Sequence, residues 1–306
     1  MVHEEETNMK KSLILGIAGS FFFAFTFILN RSMNLGGGDW MWSAALRYLF
    51  TLPMTVVLIL PGGGLQKVWA EIKARPVAWL VWSTVGFGLF YAPLTLASVY
   101  GESWLVASCW QMTIIAGVLL TPLFGKPIPV KNLMLSLLIL LGIFLMQIPN
   151  LENLQGRRAA EALIPIVIAA FSYPLGNRKM MEVCGNRLNT FQRVFGMTLC
   201  SMPFWLILSA AAYTRVGLPS QGQTLQSVCV ALFSGVIATV LFFRATDLVR
   251  HDQKKLALIE ATQCGEVLFT LLGGILILGD SVPAPVGFAG ILLIVAGMVL
   301  NSLAAA

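Results

Sequence analysis

The stretch GESWLVASCWQMTIIAGVLLTPLFGKPIP, Gly101–Pro129, decides the reading of the chain. From Ser103 to Gly125 it has no Asp, Glu, Lys, Arg or His, and its charges, Glu102 and Lys126, stand at the two ends. An α-helix needs about 20 apolar residues to cross the hydrocarbon of a bilayer, and this run supplies them. The Gly- and Pro-rich GKPIP that follows is a turn.

The rest of the chain has the same character. Of its 306 residues 57% are hydrophobic and 11% charged, and the mean hydropathy is +0.81. A soluble domain carries about 25% charged residues, so this chain has too few polar side chains to clothe a water-facing surface. It reads as a multi-pass membrane protein whose first partner is the lipid bilayer. The net charge of +6 comes from scattered short pairs between apolar runs, which excludes a nucleic-acid-binding patch. Five cysteines without CxxC spacing, and only His3 and His251 as histidines, exclude a zinc site or a disulfide framework. The GGG stretches at 36–38 and 62–64 are turns, not phosphate loops, and nothing in the chain calls for a cofactor.

Scanning outward gives an all-α protein of ten transmembrane helices: 12–30, 40–60, 77–98, 103–124, 131–149, 162–181, 189–212, 226–249, 255–278 and 284–303. The apolar run after Lys10 and Lys11 is longer than a cleavable signal core and reads as the first span. Thirteen of the 20 Lys and Arg residues fall on the side of the N-terminus and four (Arg31, Arg157, Arg158 and Arg215) on the other, which places both termini in the cytoplasm.

The chain also echoes itself. ILNRSMN around Asn30 parallels LGNRKMM around Asn177; Arg47 follows Asn30 by seventeen residues and Arg193 follows Asn177 by sixteen. WLVASCWQ parallels LALIEATQ, GKPIP parallels GDSVP, and LLGIFL parallels VAGMVL. Five matches in one order divide the chain into five-helix repeats, 1–150 and 151–306. An odd number of spans inverts the second repeat, a design in which transporters place substrate near the midplane.

With ten spans, two inverted halves and a GxxxP turn after the fourth helix of each, the sequence resembles the drug/metabolite transporter superfamily, and within it the EamA-like and multidrug-efflux-like exporters. The resemblance covers nearly the whole chain and rests most on Gly101–Pro129. It departs from the family in one respect: Lys126 and Asp280 stand where glutamate usually follows the turn glycine. The resemblance implies an inner-membrane carrier of small organic solutes, with a cavity lined by the first, third, fourth, sixth, eighth and ninth spans. The fifth and tenth spans would be peripheral.

Charges inside spans cost roughly 2.5–3.5 kcal/mol each at the bilayer centre, so each needs a reason. Glu266 falls at the middle of the ninth span, too far from either end to reach water. It either handles protons or substrate, or pairs with Arg47 or Arg193. Gln263 and Thr270, at −3 and +4, share its face. Arg47 and Arg193 either grip an anion with the guanidinium fork or neutralise the buried acids. Arg244, Asp247 and Glu260 read as buried structural charges, with Glu260 otherwise a vestibule residue. Asn30 and Asn177, Gln111 with Trp110, Tyr91 with Thr95, and Tyr173 complete the cavity candidates, the aromatics being suited to organic cations. No catalytic or metal constellation accompanies them, so the chain reads as a carrier and not an enzyme. Two functions remain open. One is a proton-coupled exporter of amines, amino acids or drug-like cations or zwitterions. The other is an arginine-dependent exchanger or facilitator of anionic metabolites. The oligomeric state is open too, a homodimer included.

Overall fold

A computed structural model describes residues 2–60, 64–152, 156–185, 187–249 and 253–305. Helices account for the architecture: α1 Val2–Leu35, α2 Trp40–Ile59, α3 Gly64–Ala74, α4 Pro76–Tyr100, α5 Ser103–Leu119, α6 Val130–Glu152, α7 Gly156–Cys184, α8 Thr190–Cys200, α9 Met202–Val216, α10 Gln221–Val249, α11 Leu258–Leu278 and α12 Pro285–Ala305. Among the described residues eight helices are long and apolar enough to cross a membrane, and a ninth arises if α8 and α9 form one span bent by 43°. The remaining expected span, α5, has the apolar character but is only 17 residues long. The fourth span therefore falls short of the expected 103–124: its helix ends at Leu119, and the 3-10 turn Thr121–Phe124, with Pro122 at its start, closes it.

The irregularities have local causes. Pro203 cannot donate to the carbonyl one turn back, and the bend between α8 and α9 falls there. Ahead of Pro93 the helix widens into a π segment at Thr84–Gly88. The turns GKPIP and GDSVP each begin on a glycine in left-handed backbone, Gly125 (φ 69°) and Gly279 (φ 70°), where a side chain would be strained.

The apolar residues divide between core and surface. Trp79, Trp205 and Tyr91 are wholly enclosed, and Trp205 stacks on Tyr48 at 4.4 Å between centroids. Leu276, Ile277, Ile14 and Val57 point outward, the distribution that lipid contact requires. In lipid there is little hydrophobic drive between helices, so close approach and polar contacts must hold them. α6 and α12 supply both. A Cβ on Gly142 would lie 2.5 Å from the Gly290 carbonyl oxygen, and one on Gly290 would lie 2.5 Å from that of Gly142. Along the same seam Asn301 Nδ2 donates to the Asn132 carbonyl at 2.8 Å and to Ser136 Oγ at 2.7 Å.

α3 is absent from the expected spans. It is short and amphipathic, with Val68 buried and Trp69 exposed, and it is tied to the bundle by an ion pair between Glu71 and Arg187.

Candidate functional site

A cavity of about 560 Å³ opens among the helices. α1, α4, α5, α7, α10 and α11 line it, matching the expected first, third, fourth, sixth, eighth and ninth spans. The lining is wider than expected: α2 adds Arg47, Tyr48 and Thr51, α8 adds Thr190, Arg193 and Thr198, and α12 adds Met298 and Ser302. The tenth span is thus not wholly peripheral, whereas α6 contributes none of the lining among the described residues.

Glu266 anchors the site. It is the ninth residue of the 21-residue α11 and 8% exposed. At a rise of 1.5 Å per residue it stands roughly 12 Å from one end of the helix and 18 Å from the other. Gln111 and Arg47 line the same cavity; the Gln111 amide donates to the Ala107 carbonyl at 3.2 Å, and Arg47 interacts with the Glu266 carboxylate electrostatically. Among the described residues no ion pair within 4.0 Å joins Glu266 to Arg47 or Arg193. The alternative of pairing with either arginine is therefore not realised among the described residues.

Neutral groups hold Arg47. Its Nη1 donates to Thr26 Oγ1 at 3.3 Å and its Nη2 to Ser234 Oγ at 3.1 Å, and the two hydroxyls lie 2.6 Å apart. Its Cζ lies 4.1 Å from the Tyr91 ring centroid, a cation–π contact. Asn30 supports that ring from behind: its Nδ2 donates to the Tyr91 hydroxyl at 3.0 Å, and the hydroxyl lies 3.1 Å from Asn30 Oδ1. Tyr173 lines the same cavity as Glu266, Arg193 and Arg47. Phe90, Trp110 and Tyr173 form a three-ring cluster on the wall, with centroids 4.9, 4.8 and 5.6 Å apart.

Of the expected cavity residues, Glu266, Gln263, Gln111, Trp110, Arg47, Arg193, Tyr173 and Asn177 line the cavity. Four others do not. Asn30 and Tyr91 lie behind the wall, as above. Thr95 and Thr270 are buried with their hydroxyls bonded to the carbonyls of Tyr91 and Glu266 one turn back in their own helices. The three charges expected to be buried and structural are exposed instead. Arg244 and Asp247 lie on the outer face of α10 without an ion pair within 4.0 Å among the described residues. Glu260 sits at the cavity mouth. Hydropathy locates such charges along a helix but not around it.

The reading from sequence missed Thr26, Ser234 and Phe90, which line the site, and Asp280, which closes the far end of the bundle. Asp280 accepts from the backbone N–H of Ser103 at 3.0 Å and from its hydroxyl, and lies 3.8 Å from Arg31 Nε. Next to it, Ser281 Oγ donates to Glu102 at 2.7 Å, and Trp104 Nε1 donates to the Ser281 carbonyl at 3.1 Å. At the same end Gln223 bonds Ser43 and the Asp39 carbonyl. The cavity therefore runs from Glu266 toward the opposite end, where Glu260, Thr190 and Ser302 line it.

Comparison with known proteins follows the same line. Residues 10–306 match the family model EmrE, described as "Putative multidrug resistance efflux transporter". A Bacillus subtilis (strain 168) protein, "Uncharacterized protein YjlA", is 50% identical over 307 residues, covering 96% of this chain and 95% of its own. A Shouchella clausii protein, "Uncharacterized 42.1 kDa protein in intracellular alkaline protease 3'region", is 43% identical over 266 residues, covering 84% of this chain and 70% of its own.

Proposed function

Because the chain belongs to the EmrE family of multidrug resistance efflux transporters, within the drug/metabolite transporter superfamily, we propose that it is a proton-coupled exporter of small organic solutes working by alternating access. Membership in a transporter family, with at least eight helices able to span, makes it a multi-pass membrane protein that carries small molecules. Export, proton coupling and placement in the inner membrane with both termini cytoplasmic are our reading. So are ten spans in two inverted halves, 1–150 and 151–306.

One observation carries the proposal. Glu266 is a carboxylate deep in the bundle, fronting a cavity, with no cation within 4.0 Å among the described residues. A carboxyl group so placed can exchange a proton with whatever fills the cavity, which is what coupling demands. With the lysine-rich end cytoplasmic, the cavity faces the cytoplasm and the Asp280 contacts close the outside. That is the loading state of an exporter.

Arg47 supports a second reading. It too is a charged group in the cavity without a carboxylate within 4.0 Å among the described residues, as an exchanger of anionic metabolites would need. Proteoliposomes on a solid-supported membrane separate the two readings, using a panel of amines, amino acids and organic anions at several pH values. The exporter reading expects solute-dependent, pH-gradient-dependent current that Glu266→Gln abolishes. Normal, pH-independent transport by Glu266→Gln would overturn it in favour of the exchanger.

A further inference from the structure

We propose that the cavity takes a zwitterion, with its ammonium at Glu266, its carboxylate at Arg47, and an apolar or aromatic body against Phe90, Trp110 and Tyr173. The inference rests on the cavity being the binding site of the function proposed above. It narrows the solute from the broad class of amines, amino acids and anions to molecules carrying both charges.

The argument starts from what the two charges do not do. Removing a cation and an anion from water is costly, and the ordinary way to offset that cost is to pair them. Arg47 and Glu266 front the same cavity and interact electrostatically, yet they are not within 4.0 Å of one another. Arg47 is held by neutral partners instead, Thr26, Ser234 and the Tyr91 ring, and Glu266 shares its stretch of cavity wall with the neutral Gln111 and Gln263. The contacts fix Arg47 in place without cancelling either charge. Of the five guanidinium N–H donors, the two hydroxyls account for bonds from Nη1 and Nη2 and leave donor capacity for an oxyanion.

A ligand of one sign would satisfy one of these groups and leave the other facing it unmatched. An organic cation would be repelled by Arg47, and an organic anion by Glu266. A molecule with both charges completes both, and its net neutrality suits a low-dielectric cavity. The ring cluster sets the rest of the ligand. Phe90, Trp110 and Tyr173 all line the cavity that Glu266 fronts. The cluster offers ring faces to an ammonium in the same cavity and apolar surface for the body of the molecule.

The test is binding to the purified full-length protein in detergent, read by isothermal titration calorimetry without any gradient. The probes differ only in charge: L-phenylalanine, phenethylamine and 3-phenylpropanoate, with 4-amino-3-phenylbutanoate as a zwitterion of wider charge separation. At least one zwitterion is expected to bind about tenfold or more tightly than both singly charged probes. Arg47→Gln should bring that zwitterion to the affinity of phenethylamine, and Glu266→Gln to that of 3-phenylpropanoate. Equal or tighter binding of either singly charged probe by the wild type overturns the proposal, as does no binding of any probe. The wild-type comparison decides even where a variant does not fold. Zwitterion binding without proton-linked flux would refute the coupling proposed above and leave this inference standing. Proton-linked flux of phenethylamine alone would do the reverse.

Discussion

Asp280 is the clearest place to test how one carboxylate holds the far end of the bundle. Its Oδ2 accepts from the Ser103 backbone N–H and hydroxyl at the start of α5, and its Oδ1 faces Arg31 at 3.8 Å. Asp280→Ala removes a helix cap worth about 1 kcal/mol and a charge-assisted hydrogen bond worth about 1.5–3 kcal/mol. The ion pair adds little, because Arg31 is partly exposed and the separation is long. The expected loss is about 2–4 kcal/mol. For a chain of this size that lowers the melting temperature by roughly 4–8 °C, at about 2 °C per kcal/mol. Asp280→Asn keeps an oxygen for the Ser103 N–H and loses only the charge, so its cost should be about half. Cys109 and Cys184 are free and buried, so a thiol-reactive fluorophore reports unfolding of the detergent-purified protein directly. Equal destabilisation by Ala and Asn would refute the assignment of a capping role. No effect of Ala would refute the whole account.

Three further outcomes follow from the geometry. Gly142→Val places side-chain carbon against the backbone of α12, and overpacking of this kind costs about 1–3 kcal/mol; the melting temperature should fall while ligand affinity at the cavity is unchanged. Thr26→Val with Ser234→Ala removes both hydroxyl acceptors of Arg47, and calorimetry should show weaker binding of anionic or zwitterionic probes with no change for cationic ones. The hydrogen bonds that Arg187 donates to the Glu71 carboxylate hold its guanidinium above its ordinary pKa. A basic group raised in this way contributes below its unfolded pKa and loses that contribution only as pH rises through the higher folded value. Both lie far above neutrality, so Arg187→Gln should shift the melting temperature by the same small amount throughout about pH 5–8.

Much of this was legible because membrane helices announce themselves by length. Gln111 and Glu266 were legible for the opposite reason: each is a polar side chain where hydrocarbon is the rule. Hydroxyls misled in both directions. Thr95 and Thr270 look like members of a polar stripe but spend their hydroxyls on their own helices, whereas Thr26 and Ser234 turn theirs on Arg47. Sequence spacing cannot tell these cases apart, because both fates are open to a threonine or serine in a helix. α3 escaped notice because eleven residues carrying Lys67, Glu71 and Lys73 fit no spanning template. Arg244 and Asp247 were placed correctly along α10 and wrongly around it, since what decides their exposure is which neighbours pack there.

The seam between α6 and α12 has a consequence for how the protein can diversify. It is the place where backbones meet at glycine, yet its two helices give the cavity only Met298 and Ser302. A mutational scan scored for abundance in the membrane and again for resistance or nutrient phenotype should therefore yield two maps with little overlap. Gly142, Gly290, Asn132 and Asn301 would dominate the first, and the walls supplied by α2, α5, α7 and α11 the second. New specificities can then arise among the second set while the seam is conserved by purifying selection, without the two demands competing for the same codons.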